Sequence, residues 1–258
     1  MKMLLTALLA GVIQLGIAYS ANAESGLDNI KSAGVFKIAT EGTYPPFTYH
    51  DASGALTGFD IDIGREIARR LNVKAQFTEG KWDGLIAGLG AKRYDAVLNQ
   101  VAITPERKKK YDFSNPYIIS KAVLITRQNN DSIKTFSDLK GKTSSHSLTS
   151  NYAQLAKHFG AEIVPTEGFN QAIDLVATGR ADATINDNLS YLDFRKHKPN
   201  APVKVVASEP NGDPVGVLIR KGEPELQAAI DKALADIKAD GTYLRISTQY
   251  FGTDVSKS

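Results

Sequence analysis

The 258-residue chain has no cysteine. That absence excludes disulfides, thiolate metal sites, a cysteine nucleophile and a lipid-bearing cysteine after an export signal. Histidine is scarce as well. His50, His146, His158 and His197 stand apart without metal-like spacing, so no metal and no cofactor are expected. No Gly-rich phosphate loop, G-x-S-x-G or H-E-x-x-H occurs, and no enzyme is expected. Charge of either sign is not in excess: 31 Lys and Arg face 28 Asp and Glu. Such an even balance argues against a nucleic-acid partner or an anionic membrane surface. Long apolar runs are absent after the N-terminus, and nothing there approaches the roughly 20 residues of a membrane span.

The one apolar run, Leu4 to Ala18, follows Lys2 and closes on Ala21-Asn22-Ala23. A basic start, a short apolar middle and a small-x-small end make residues 1–23 a secretory signal peptide, cut after Ala23. The expected compartment is the Gram-negative periplasm, with no membrane insertion after cleavage. About 235 residues then remain, more than one typical domain, and a monomer of two lobes is expected.

A short phrase occurs twice. Arg93-Tyr94-Asp95-Ala96-Val97-Leu98-Asn99-Gln100 returns as Arg180-Ala181-Asp182-Ala183-Thr184-Ile185-Asn186-Asp187. Each copy reads as a buried strand with two polar residues at its carboxyl end. Ligands of open α/β sheets bind just beyond such ends. One end is neutral and one acidic, so the repeat suggests two half-sites facing a shared crevice.

Strand and helix patterns alternate through the remainder, which implies an α/β fold with mixed, mostly parallel sheets flanked by helices. Val35–Thr40 reads as a strand leading into Glu41-Gly42-Thr43-Tyr44-Pro45-Pro46-Phe47. Phe59, Ile63, Ile67 and Leu71 form a helical stripe. Asp83 is the expected N-cap of a helix carrying Leu85, Ile86 and Leu89. Thr104 before Pro105 is a strong helix start, and Thr149-Ser150-Asn151 caps a helix with a Tyr152, Leu155, Ala156, Phe159 stripe. Val215–Arg220 reads as one strand, and Pro224 opens a helix that Gly241 stops. The chain is expected to cross between lobes in two hinge strands, near 118–124 and 208–216. The lobes are then 24–119 with 212–258, and 120–211.

These positions assemble a candidate site. The helix starts at Thr104 and at Thr149-Ser150 offer unpaired N–H groups and a positive dipole end. Arg107 lies three residues past its cap and can hold a carboxylate through two parallel hydrogen bonds. Asp187 offers a negative charge across the crevice, which suits a zwitterionic α-amino acid. Tyr44 and Trp82 can cover the ligand side chain and exclude water. Glu41 is a second acceptor for an ammonium.

At these residues a family resemblance emerges. Thr40–Phe47, Leu56-Thr57-Gly58-Phe59-Asp60, Lys81-Trp82-Asp83-Gly84-Leu85, Ile103–Arg107 and Tyr111–Tyr117 resemble the polar-amino-acid solute-binding proteins of ABC importers. The cystine-binding subgroup is the most similar in these motifs, through Glu-Gly-Thr-Tyr-Pro-Pro-Phe, Lys-Trp-Asp-Gly, Asn-Gln-Val and Glu-Arg-Lys-Lys-Lys-Tyr-Asp-Phe-Ser. The resemblance implies a two-lobe periplasmic-binding-protein fold that closes on an amino acid, cystine first, and delivers it to a membrane ABC permease. Other polar or basic amino acids remain open. So does a cyclohexadienyl dehydratase on the same fold, for which Glu41 and Asp187 are the only cleft carboxylates.

By motif, Arg107 is implied to clamp the α-carboxylate, assisted by the Ala102 and Ser150 amides. Asp187 and the Gln100 carbonyl are implied to take the α-ammonium. Asn99 and Asn151 complete the set beside Gln100 and Ser150. Two departures stand out: Ala102 replaces a hydroxyl residue, and Ser144-Ser145-His146-Ser147-Leu148-Thr149-Ser150 replaces a Gly-x-Gly-x-Gly-Thr lead.

Overall fold

The structure is a computed structural model that describes residues 26–257; the signal-peptide reading of residues 1–23 lies outside them. Two five-stranded sheets organise the chain. One has the order Lys74–Glu79, Val35–Thr40, Ala96–Val97, Leu218–Arg220, Tyr111–Phe113. The other has the order Glu162–Pro165, Thr143–His146, Ala183–Asp187, Ala122–Arg127, Val203–Ser208. In both, the first three strands are parallel and the last two pairings are antiparallel. Each sheet is mixed: four of its five strands run the same way, and one strand between two of them, Leu218–Arg220 or Ala122–Arg127, runs against them. The chain enters the second sheet and re-enters the first from the crossing strands, against the direction of the parallel set.

The crossing itself is a two-stranded antiparallel ladder of Ile118–Ser120 with Asp213–Val215. The single strand expected over 215–220 is thus two, Asp213–Val215 and Leu218–Arg220. The repeated phrase supplies the third strand of each sheet, Ala96–Val97 and Ala183–Asp187. It therefore sits at matching places in two similarly wound halves.

Side-chain periodicity explains the packing. Phe59, Ile63 and Ile67, at helical spacing on Phe59–Arg70, are completely buried. They share one core with Ile230, Leu234 and Ile237 of Pro224–Ala239. Burial of each such side chain contributes about 2 kcal/mol. The C-terminal helix Thr242–Phe251 closes that core, with Tyr243 and Phe251 against Phe59 at ring-centroid distances of 5.9 and 5.1 Å.

Gly58 precedes the Phe59 helix with φ 130°. There the amides of Phe59 and Asp60 donate to the Pro46 and Phe47 carbonyls, each at 2.9 Å. Those two bonds tie the Tyr44–Phe47 loop, one wall of the cleft, to the helix start.

Candidate functional site

The carboxyl ends of the repeated strands meet. Gln100 and Asp187 occupy equivalent positions of the repeat, 87 residues apart, and Gln100 Nε2 donates to Asp187 Oδ2 at 2.9 Å. Around this junction lies a cleft that is partly open to solvent. Seven of the expected residues line it: Glu41, Tyr44, Trp82, Asn99, Gln100, Ser150 and Asn151. Ala102, Arg107 and Asp187 are not among its lining residues.

Glu41 and Asn99 are locked together. Asn99 Nδ2 donates to Glu41 Oε2 at 2.6 Å, while the Glu41 amide and Thr40 Oγ1 donate to Asn99 Oδ1 at 2.7 and 3.1 Å. Burial pushes the Glu41 carboxyl up, partly opposed by the Asn99 bond. Tyr44 spans the cleft, its hydroxyl donating to Asn186 Oδ1 at 2.6 Å.

Thr104 is the cap its sequence implies: its Oγ1 accepts from the Arg107 amide at 3.2 Å. That cap starts the short helix Pro105–Lys110 and turns Arg107 back over Ala102. Arg107 Nη1 donates to the Ala102 carbonyl at 2.9 Å, and the guanidinium carbon lies 5.3 Å from the centre of the Trp82 ring. Nη2 is buried and has no partner among the described residues, as is true of Trp82 Nε1 and Gln100 Oε1. Burial pulls the Arg107 guanidinium down to about 10. Ala102 forms an isolated antiparallel bridge with Val215. The flanking bonds, Ile103 N–H to Pro214 O at 2.8 Å and Gly216 N–H to Val101 O at 3.2 Å, turn the Ala102 amide away from Val215. It points to the side where its own carbonyl meets Arg107.

One expectation needs correction, and two expected ligand contacts already have protein partners. The Asp187 carboxylate, expected to face an ammonium, is fully buried and caps the helix Asn188–His197. Its Oδ1 accepts from the Leu189 and Ser190 amides at 2.8 and 3.2 Å, and its Oδ2 from Gln100 Nε2 and Ser120 Oγ. A carboxylate has about four acceptor positions, and these partners occupy all of them. The Ser150 amide, expected on a ligand carboxylate, donates to Ser147 O at 3.2 Å, because the loop before the helix Asn151–His158 turns back on itself. Ser150 Oγ is the helix cap, accepting from the Ala153 amide at 3.0 Å.

Asp83 is not an N-cap. The cap position is Lys81, and Asp83 lies in the first turn of Trp82–Gly90. Its carboxylate reaches the other lobe, accepting from the Leu148 amide at 3.3 Å, the Thr149 amide at 3.0 Å and Thr149 Oγ1 at 2.6 Å. Lys81 Nζ meets Glu167 Oε1 at 2.5 Å beside it. Both contacts are exposed and join the lobes at the cleft rim.

Several lining residues escaped the sequence reading. Tyr152, placed in a core stripe, faces the cleft from the first turn of its helix. Phe169 opens the helix Phe169–Ala177 and packs edge-on to Tyr44 at 6.3 Å. It follows Trp82 by 87 residues, the offset of the repeat, so extending that offset upstream would have found it. Asn186 belongs to the repeat itself. Ser145, His146 and Ser147 line the second-lobe wall. His146 Nε2 is 2.7 Å from Ser144 Oγ, and burial drives the ring down to about 3, leaving it neutral.

Behind the wall, Asp60 is fully buried and accepts from the Gln100 amide at 2.6 Å and Tyr117 OH at 2.9 Å. Burial raises it to about 7. Asp60 and His146 pull stability in opposite directions. The cost of the ionised Asp60 is present above pH 7 and is relieved as pH falls toward the unfolded value near 4. The cost of keeping His146 neutral is absent above about pH 6.5 and grows as pH falls toward 3. Relative to the parent, Asp60→Asn is expected to shift the pH of highest Tm upward, and His146→Gln to shift it downward. Thermal melts from pH 4.5 to 8 measure both. Identical profiles for all three proteins would contradict the assignment.

Among the described residues no helix is long and apolar enough to cross a membrane. The family description bacterial extracellular solute-binding proteins, family 3, matches residues 36–253. The chain is 43% identical over 266 residues to the L-cystine-binding protein TcyA of Bacillus subtilis (strain 168), covering 97% of this chain and 99% of the relative. It is similar to the L-cystine solute receptor of Neisseria gonorrhoeae in the unliganded open conformation, at 44% identity and a TM-score of 0.61 over 91% of this chain and 100% of that one. An ancestral arginine-binding protein bound to arginine is 40% identical, with a TM-score of 0.80 over 85% of this chain and 99% of that one.

Proposed function

Because the chain belongs to the bacterial extracellular solute-binding proteins of family 3, we propose that it captures an amino acid, L-cystine first, between its lobes for a membrane ABC permease. The observation that carries this reading is the buried, unpartnered Nη2 of Arg107. A guanidinium this far from water is stabilised by an anion, and its planar fork matches a carboxylate. The Ala102 amide is turned to the same side. Tyr44, Trp82 and Phe169 supply flat apolar walls for a side chain.

Cystine is favoured over other amino acids by the names of the Bacillus and gonococcal relatives. The ancestral arginine-binding structure keeps basic amino acids as the alternative. A thermal-shift screen of the twenty amino acids plus L-cystine tests the choice. L-cystine is expected to raise Tm most, whereas stabilisation by arginine, lysine or histidine alone discards cystine. Formation of an aromatic product from prephenate or arogenate would replace binding by dehydration.

Capture proceeds by hinge closure, with lobes of 24–119 plus 212–258 and of 120–211 turning about the paired strands Ile118–Ser120 and Asp213–Val215. The TM-scores support this. The relative described as open scores 0.61 at 44% identity, while the arginine-bound one scores 0.80 at 40%. A rearranged lobe angle accounts for a lower score at higher identity. Tyr44–Asn186, Asp83–Thr149 and Lys81–Glu167 are the protein's own contacts across the closed cleft. In this reading residues 1–23 direct export to the periplasm, where the protein acts as a monomer.

A further inference from the structure

We propose that Asp83 is a latch that draws the lobes together without a ligand, so that part of the ligand-free protein is closed. This rests on the hinge closure proposed above, but not on which amino acid is captured. Asp83 receives three donors from the facing lobe. Its Oδ1 accepts from the Thr149 amide at 3.0 Å and from Thr149 Oγ1 at 2.6 Å, and its Oδ2 from the Leu148 amide at 3.3 Å. Asp83, Leu148 and Thr149 are not among the residues that line the cleft. The contact therefore acts on closure without touching a captured molecule.

Each side of the contact is held ready by its own lobe. Buried Trp82 seats the start of the helix Trp82–Gly90, and Asp83 lies in its first turn, where a negative charge suits the helix dipole. On the facing lobe, the Ser150 amide donates to Ser147 O at 3.2 Å, and Ser147 Oγ accepts from the Gly168 amide at 3.1 Å. Those bonds shape a loop whose successive Leu148 and Thr149 amides converge on one carboxylate. Neither amide has another partner among the described residues.

Relative strengths single out Asp83 among the rim contacts. Hydrogen bonds to an ionised carboxylate are roughly twice as strong as neutral ones. The neighbouring Lys81–Glu167 pair has side chains 74% and 64% exposed, and an ion pair so open to water contributes little. Hydrogen-bond geometry fails once the atoms part by about an ångström, so an opening rim loses all three Asp83 bonds together. The contact is thus a property of the closed state alone. Asp83, Leu148 and Thr149 are all exposed, and water replaces their bonds when the lobes separate. The latch shifts the balance between open and closed without locking the cleft.

The absence of cysteine allows clean labelling. Lys109→Cys and Lys157→Cys, at exposed positions of the two lobes, each carry a nitroxide, and pulsed electron paramagnetic resonance reads the distance between them. The ligand-free parent is expected to show both a closed and an open distance. Asp83→Ala is expected to lower the closed-to-open ratio roughly fivefold or more. Thr149→Val keeps the amides, loses the hydroxyl and is expected to fall between them. Lys81→Ala is expected to stay within about twofold of the parent. L-cystine is expected to close the parent and Asp83→Ala alike, the variant at a roughly fivefold higher concentration. Equal closed fractions in ligand-free parent and Asp83→Ala, a wholly open parent included, overturn the latch. If L-cystine and the twenty amino acids leave both distributions unchanged while the ligand-free difference persists, the amino-acid reading falls and the latch stands.

Discussion

Arg107→Ala is expected to weaken amino-acid binding by roughly 150-fold or more while leaving the fold intact. The guanidinium is held by Trp82 beneath it and by the Ala102 carbonyl, and Nη2 is buried without a partner. Burial lowers its proton affinity, so the site has already lost much of the hydration that would compete with a ligand carboxylate. Removing the side chain leaves that carboxylate buried and unpaired, at a cost of about 3–5 kcal/mol. The corresponding loss in affinity is roughly 150-fold to several thousandfold.

Arg107→Lys keeps a charge but loses the fork and the flat stacking surface, so it is expected to fall between parent and alanine. Neither change should unfold the protein, because the Thr104 cap bond uses the backbone amide of Arg107. Isothermal titration with L-cystine measures the effect. Alanine binding within threefold of the parent would remove Arg107 from the site.

The largest expected effect on stability comes from a residue that touches no ligand. Gly58 has φ 130°, and a Cβ there would lie 2.2 Å from the Phe47 carbonyl oxygen and 2.8 Å from the Thr48 nitrogen. Those are backbone atoms, so no side chain can swing aside. Gly58→Ala must therefore displace the Tyr44–Phe47 loop from the start of the Phe59 helix and break its two backbone bonds. Strain and overpacking together are expected to cost about 3–5 kcal/mol. For a chain of this size that is a fall in Tm of roughly 10 °C.

Gly54→Ala is the control. Its φ is 82°, but its Cβ meets nothing within 4 Å, so only about 1 kcal/mol is expected. Melts followed by circular dichroism compare the two. Equal falls in Tm would mean that backbone conformation, and not the close approach to Phe47, governs Gly58.

The two polar strand ends of the repeat were legible because each depends on a few adjacent residues. The same holds for the Thr104 and Ser150 caps and for the Phe59 stripe: propensity, periodicity and caps are local. The repeat also located the cleft, since similarly wound halves place equivalent strand ends face to face. Its reach was underused, as Phe169 shows.

What only the tertiary structure decided was which partner each polar group takes. Asp83 read as a helix cap and Asp187 as a free carboxylate. One joins the lobe rims and the other is consumed by a helix start, Ser120 and Gln100. The Ser150 amide was likewise lost to a local turn. Hydrogen-bond partners tens of residues apart follow from the angle and separation of two lobes, to within a few tenths of an ångström. Composition and spacing say that an acid and an amide stand near the crevice. Only packing says which of them is already satisfied and which still has an atom to offer.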